Sequence, residues 1–333
     1  MNKIRETGGA IRRRAMLAAV PGLALAGAAG AQPMPYPVRP VTVIVPFAPG
    51  GSTDFVARLL AQHLSATLGG PFVVENRAGA AGTVGHGAVA RARPDGYTLD
   101  VAPTGTFAVA PYLFSPLPYD NDRAFSPISL LASNAMFVCV HAGSGIGSFA
   151  ALLAAAKAAP GRLSYASPGT GTVGHLAPEL MLDMAGIDML HVPYRSGGLQ
   201  TQALLARETH AALIDAVTAL PYMQSGELRA LAVTSRERNS KAPDVPALAE
   251  SGLPGYHATN DFGFFAPAGT PAPIVQRLAD GAREALNNAE VRARLDAAAI
   301  DVIGGSAEAF PPYLAEEGRR WGDLIRRRSI KPE

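Results

Sequence analysis

Apolar positions along the chain follow two spacings in turn. Residues 41–47, "VTVIVPF", form an apolar run with no polar alternation, the pattern of a strand covered on both faces. Phe55, Leu59, Leu60, Leu64 and Leu68 then recur at helical spacing, and Gly69 closes the run. "FVVEN" predicts a second strand, 83–96 a short helix stopped by Pro94, and "YTLDVAP" a third strand, so the chain opens with a βαβαβ unit. A second set begins near Phe137. "MFVCVHA" reads as a strand, "SFAALLAAAKAAPG" as an Ala-rich helix ended by Pro160-Gly161, and "LSYASPGTGTVGH" as a strand and loop. "HVPY", "AALIDA" and "LRALAVTS" look like further short strands. From about residue 257 come "FGFFAPAGTP", a helix over 273–287 and a final helix around Trp321. This alternation predicts an α/β fold, each domain a mainly parallel sheet flanked by helices. The order of the blocks predicts two domains, 32–134 completed by 257–333, and 135–256.

The first 31 residues stand apart. Arg12, Arg13 and Arg14 precede an apolar, small-residue run broken by Pro21-Gly22, and Ala29-Gly30-Ala31 offers an A-x-A cleavage signal before Gln32. A charged start, apolar middle and small-residue end read as a cleaved export signal. The arginine cluster permits twin-arginine export, while the missing Ser before the pair and Phe after it leave the Sec route open. Cleavage removes five basic residues and one acidic one, so the net charge moves from +2 to −2. Later segments lack the length and polarity of a membrane span, which predicts a soluble exported protein.

Composition narrows the function. At 333 residues, 48% hydrophobic and 17% charged, the chain is globular in character. Its small net charge and lack of a long basic run disfavour nucleic acid as a partner. A lone cysteine, Cys139, forbids an intrachain disulfide and reads as a small buried hydrophobe.

Ligands of open α/β sheets bind beyond the carboxyl ends of strands. Four loops leave such ends here carrying small or hydroxyl residues: 47–54, 104–107, 167–175 and 193–198. Gly50 and Gly51 let the backbone approach a ligand, and Ser52 or Thr53 is expected to cap a helix whose free N–H groups favour a carboxylate. Asp54 is either a structural residue in that helix's first turn or an acceptor for a ligand ammonium or hydroxyl. Gly169-x-Gly171-x-x-Gly174 matches a dinucleotide fingerprint literally, but the acidic residue required about 20 positions on is missing. The same glycines, with Thr170 and Thr172, suit a small anion. The seven histidines show no metal-ligand spacing, and neither G-x-S-x-G nor H-E-x-x-H occurs, so neither catalysis, nor a cofactor, nor a metal is expected. His175 and His191 adjoin the loops and are more simply structural. Arg195 lies in a Gly-rich loop, where it either takes a carboxylate bidentately or faces solvent.

"YPVRPVTVIVPFAPGGSTDFVARLLAQHL", "VVENRAGAAGTVG", "ARPDGYTL", "HVPYRSGG", "LRALAVTS" and "FFAPAGTP" resemble the Bug-type substrate-binding proteins of tripartite tricarboxylate transporters, in order from Tyr36 to Trp321. The resemblance implies a monomeric, periplasmic two-domain clamshell of type II-like architecture, which captures a small organic acid and delivers it to membrane permease subunits. The acids it implies are di- or tricarboxylates, aromatic acids or amino acids. Carried onto this chain, it implies a site from Phe47, Ala48, Gly51, Ser52, Thr53, Asp54, Thr104 and Thr106 in one domain. Ser167, Thr170, Gly171, Thr172, His175, Tyr194, Arg195 and Asp215 contribute from the other. Seven positions depart from the usual pattern: Ala48 for Pro, Arg195 for Lys, Ser196 for Gly, Arg207-Glu208 for a Gly turn, Asp261 for Trp, and Pro178, which predicts a helix starting there. Two other functions remain open: a sensor docking on a membrane kinase, and an exported enzyme using His175 or Asp54 as base.

Overall fold

A computed structural model describes residues 35–114 and 116–332; the predicted export signal lies outside them. The opening unit forms as its pattern predicts. β1 (Val41–Val45) pairs in parallel with β2 (Phe72–Asn76) and β3 (Thr98–Pro103), joined by α1 (Ser52–Leu68) and α2 (Thr83–Ala90). α1 ends at Gly69, whose φ of 81° is the left-handed cap that glycine adopts without strain. α2 stops at Ala90, before Pro94 is reached. α3 (Thr104–Leu113) follows β3 with no intervening loop, where the sequence predicted only a loop.

β4 (Phe125–His141) is a 17-residue strand that starts eleven residues before the predicted "MFVCVHA". The second parallel unit is β5 (Ser164–Ser167) between β6 (Leu190–Pro193) and β7 (Ala211–Asp215), with α4 (Phe149–Ala158), α5 (Val173–Ala185), α6 (Gly197–Leu205) and α7 (Ala216–Gln224) in the connections. β8 (Leu228–Val233) and β9 (Thr259–Pro267) follow, then α8 (Ala272–Asn287), α9 (Ala289–Ala297), β10 (Ile300–Gly305) and α10 (Phe310–Arg328). α5 corrects one expectation. It begins at Val173, so Pro178 sits in its second turn rather than starting it.

The ten strands of the described residues run in the order β2-β1-β3-β9-β4-β7-β5-β6, with β8 and β10 also paired to β4. The sheet is mixed. Its parallel blocks flank an antiparallel centre, where Phe125–Ala135 of β4 pair with β9 and Met136–Asp215 through Cys139–Ala212 pair with β7. β4 thus changes neighbours at Ala135, the position where the sequence expected one domain to give way to the other.

Separate apolar clusters cover the two halves. α1 and α8 pack Leu64, Leu60 and Leu278 on β1 and β9, while Leu152, Leu176 and Leu182 pack on the second half. α10 reaches both. Phe310 packs with Phe107 and Phe265, whereas Trp321, Leu324 and Ile325 join the cluster under α5. Arg327 and Arg328 extend that contact to Asp183, Glu179 and Asp188. Cys139 is fully buried in β4, and burial pushes its thiol pKa upward.

Candidate functional site

The carboxyl ends of the strands converge on one cavity of about 140 Å³. An engineered apolar cavity of roughly 150 Å³ holds a benzene ring, so the space suits an acid of a few carbons. Its wall carries the N-caps of five helices: Gly51 of α1, Pro103 of α3, Thr172 of α5, Ser196 of α6 and Asp215 of α7. Each helix end presents unpaired N–H groups and a partial positive charge. Among the described residues no Lys, Arg or His belongs to the wall, and its ionisable groups are Asp54 and Asp215. What the wall itself offers an anion is the backbone N–H groups of these helix ends.

The first loop is braced from behind. Asn76 Nδ2 donates to Phe47 O at 3.0 Å and to Asp54 Oδ1 at 2.9 Å. Gly50 N–H and Arg58 Nε donate to Asp54 Oδ2 at 3.1 and 2.9 Å. Burial opposes ionisation of Asp54, but the bonds from Arg58, Asn76 and Gly50 outweigh it and hold the carboxyl below its usual range. Asp54 is thus held in place by its own loop, Arg58 and Asn76, and it also faces the cavity. Gly50, at φ 88°, makes the turn. Gly51 is the cap of α1, so neither Ser52 nor Thr53 fills that expected role. Ser52 instead donates from Oγ to Asp215 Oδ2, across 163 residues of chain. Asn260 Nδ2 also approaches Asp215, at 3.3 Å, and burial still raises this carboxyl above the usual range.

The third loop is tied by its own polar groups. Thr172 Oγ1 donates to Gly169 O at 2.7 Å, and Gly169 N–H donates to Ser167 Oγ at 3.2 Å. Gly171 N–H donates to His175 Nδ1 at 3.1 Å, so that nitrogen is the bare one. The His175 ring stacks on His191 at 3.9 Å, and Ser167 Oγ lies 2.6 Å from His191 Nε2. Burial, with His191 adding to it, pulls His175 down to about 3, so it is neutral and structural.

Of the sixteen residues the sequence singled out, nine line the cavity: Phe47, Ala48, Gly51, Ser52, Thr53, Asp54, Thr106, Thr172 and Asp215. Ser167, Gly171 and His175 stand behind the wall and hold its loop. Thr170 is outside the lining with its hydroxyl buried and unpartnered, and Thr104 lies 3.3 Å from Tyr313 OH. Tyr194 donates to Glu208 at 3.2 Å, and Arg195 is exposed; neither is part of the wall. Asp261 is bound by Ser133 and Tyr313 at 2.5 Å each, away from the cavity. Met136, Gln200 and Asn260 line the cavity and were missed, whereas Ser196 belongs to the 193–198 loop that the sequence marked. Ser196 before Gly197 and a following helical run is a readable cap signal; Asn260, inside a strand, carries none.

Comparison with known proteins agrees with this geometry. Residues 56–330 match the profile of the tripartite tricarboxylate transporter family receptor. Protein BugT of Bordetella pertussis is 34% identical over 319 residues, covering 95% of this chain and 98% of BugT. The structure of R. palustris Rpa4515 with adipate superimposes at a TM-score of 0.86 and 31% identity, covering 90% of this chain and 100% of that one. MatC (Rpa3494) from Rhodopseudomonas palustris with bound malate gives 0.82 and 34%, covering 87% and 100%.

Proposed function

The chain belongs to the tripartite tricarboxylate transporter receptor family, and from that premise we propose that it is a periplasmic receptor whose two lobes close on a small carboxylate. The lobes are residues 32–134 with 257–333, and 135–256, turning about β4 near Ala135. The acid's carboxylate sits among the N–H groups of the five helix ends, and it draws the hydroxyls of Ser52, Thr106 and Thr172 away from Asp215, Pro103 O and Gly169 O, to which they donate in the fold. The observation carrying this reading is that five helix N-caps meet around one small cavity with no cationic side chain in its wall. Such a wall holds an anion by many shared, reversible bonds, which suits capture and release better than chemistry. Within the family framework the export signal is cleaved near Ala31-Gln32, and the loaded, monomeric receptor hands its cargo to membrane permease subunits.

Adipate and malate, held by the two similar structures, are six- and four-carbon diacids of the size the cavity suits. Asp215 adds a second requirement, because a buried carboxylate in the wall favours a ligand that brings it a hydrogen-bond donor. Ser52→Ala and Thr172→Ala test the reading. Each is expected to weaken binding of the acid found in a panel screen, since a lost hydrogen bond to a charged group costs about 1.5–3 kcal/mol. Unchanged affinity in both variants would place the ligand elsewhere.

A further inference from the structure

We infer that His86 is a buried imidazolium that backs Thr106, so that one wall of the cavity has a positive charge directly behind it. The inference deepens the carboxylate reading and rests on it for its consequence, but its physical content stands on the hydrogen bonds. His86, on α2, and Asp100, on β3, are both wholly buried. His86 Nδ1 lies 2.7 Å from Asp100 Oδ2, and Nε2 lies 2.8 Å from Thr106 Oγ1. Thr106 is a cavity residue.

Counting protons narrows the ring's state to two arrangements. Thr106 has one hydroxyl proton, and it is directed to Pro103 O at 2.7 Å. Toward His86 the hydroxyl can therefore only accept, so Nε2 carries a proton. If Nδ1 were bare it would set a lone pair against a carboxylate oxygen. A proton on each nitrogen satisfies both contacts at once. The surroundings favour the same state. The Phe107 ring lies against the imidazole with centroids 4.1 Å apart, within the range in which an aromatic ring stabilises a cation in a dry pocket. The competing arrangement places the proton on Asp100 and leaves the pair neutral.

The orientation of the pair gives it a function. Its positive end touches Thr106 and the cavity wall, while its negative end is withdrawn to β3. A donor that itself accepts from a cation is a stronger donor. When a ligand carboxylate draws the Thr106 hydroxyl away from Pro103 O, the imidazolium strengthens that bond and offsets the ligand's charge. His86 is thus a positioning and charge-supplying residue one layer behind the ligand. It provides the cation that the wall lacks.

Long-range proton–nitrogen NMR of the mature chain reads the ring directly and needs no ligand. Two alike, protonated nitrogen signals for His86 at neutral pH are expected; one pyridine-like nitrogen would overturn the inference. The second arm is the neutral pair His86→Gln with Asp100→Asn, which removes both charges and leaves a polar side chain at each position. Titrated with adipate and with malate, it is expected to bind at least tenfold more weakly than the unaltered protein; equal affinity would overturn the role assigned to the pair. Failure of the unaltered protein to bind either acid would count against those acids as cargo, with the NMR signature still deciding the charge.

Discussion

Gly105→Ala should force α3 and α5 apart. Gly105 is the second residue of α3, and a Cβ built there falls 2.2 Å from Cγ2 of Val173, the first residue of α5. Ordinary contact begins near 3.4 Å, so the helices must separate by 1.2 Å or the valine must be displaced. Overpacking of this kind costs about 1–3 kcal/mol. Replacing glycine by alanine in a helix opposes that by at most about 1 kcal/mol. Val173→Ala removes the offending methyl and by itself loses ~1.6 kcal/mol, at about 0.8 per buried carbon. In that background Gly105→Ala meets no clash, so its sign should change from destabilising to neutral or stabilising. Urea unfolding of the two single variants and the double variant closes the cycle. The expected coupling is at least about 1 kcal/mol, the lower end of the overpacking cost. Additive effects would mean that α3 and α5 do not meet at this point in solution. The same wedge should weaken ligand binding, since Thr106 and Thr172 line the cavity from these two helices.

His175 has a folded pKa of about 3 against an ordinary 6.5, so its contribution to stability is complete above pH 6.5 and is lost as pH falls toward 3. Unfolding between those limits should take up one extra proton, a slope of at most about 1.4 kcal/mol per pH unit, and His175→Asn should remove it. In ligand preference, malate should bind more tightly than succinate, because its hydroxyl gives Asp215 a donor; calorimetry on the two acids checks this, and equal affinities would place the hydroxyl away from Asp215.

The sequence was most legible where one period dominated. β1 and α1 carry unmixed strand and helix patterns, and both form within a few residues of their expected bounds. The first half of β4 was hidden because Ser126, Pro127, Ser129 and Ser133 read as loop. In the fold, Ser129 donates to Gly305 O and Ser133 to Asp261, so cross-strand partners make these hydroxyls compatible with a buried strand. α3 was hidden for the opposite reason. "TGTFAVAPYL" is buried on nearly all sides, and a helix with no solvent face shows no amphipathic period.

The site shows the same division. Loops that leave strand ends with Gly, Ser and Thr advertise themselves, and they yielded Gly51, Ser52 and Thr172. Contacts that join distant segments leave no trace in spacing. Asn260 meets Asp215 across 45 residues, and nothing local marks either His86 or Asp100 as half of a buried pair. Arg195 was conspicuous in the sequence because arginine in a Gly-rich loop suggests an anion. In the fold it is exposed and outside the cavity lining.

A thermal-shift screen of residues 32–333 against mono-, di- and tricarboxylates, aromatic acids and acidic amino acids tests the central claim most directly. An acid at about 100 times its dissociation constant should add about 2.7 kcal/mol of stability, a clear rise in melting temperature. A rise with a small carboxylate, lost or reduced in Ser52→Ala, is the predicted result. No rise with any acid, or a rise that Ser52→Ala and Thr172→Ala both leave intact, would contradict a carboxylate receptor built on this cavity.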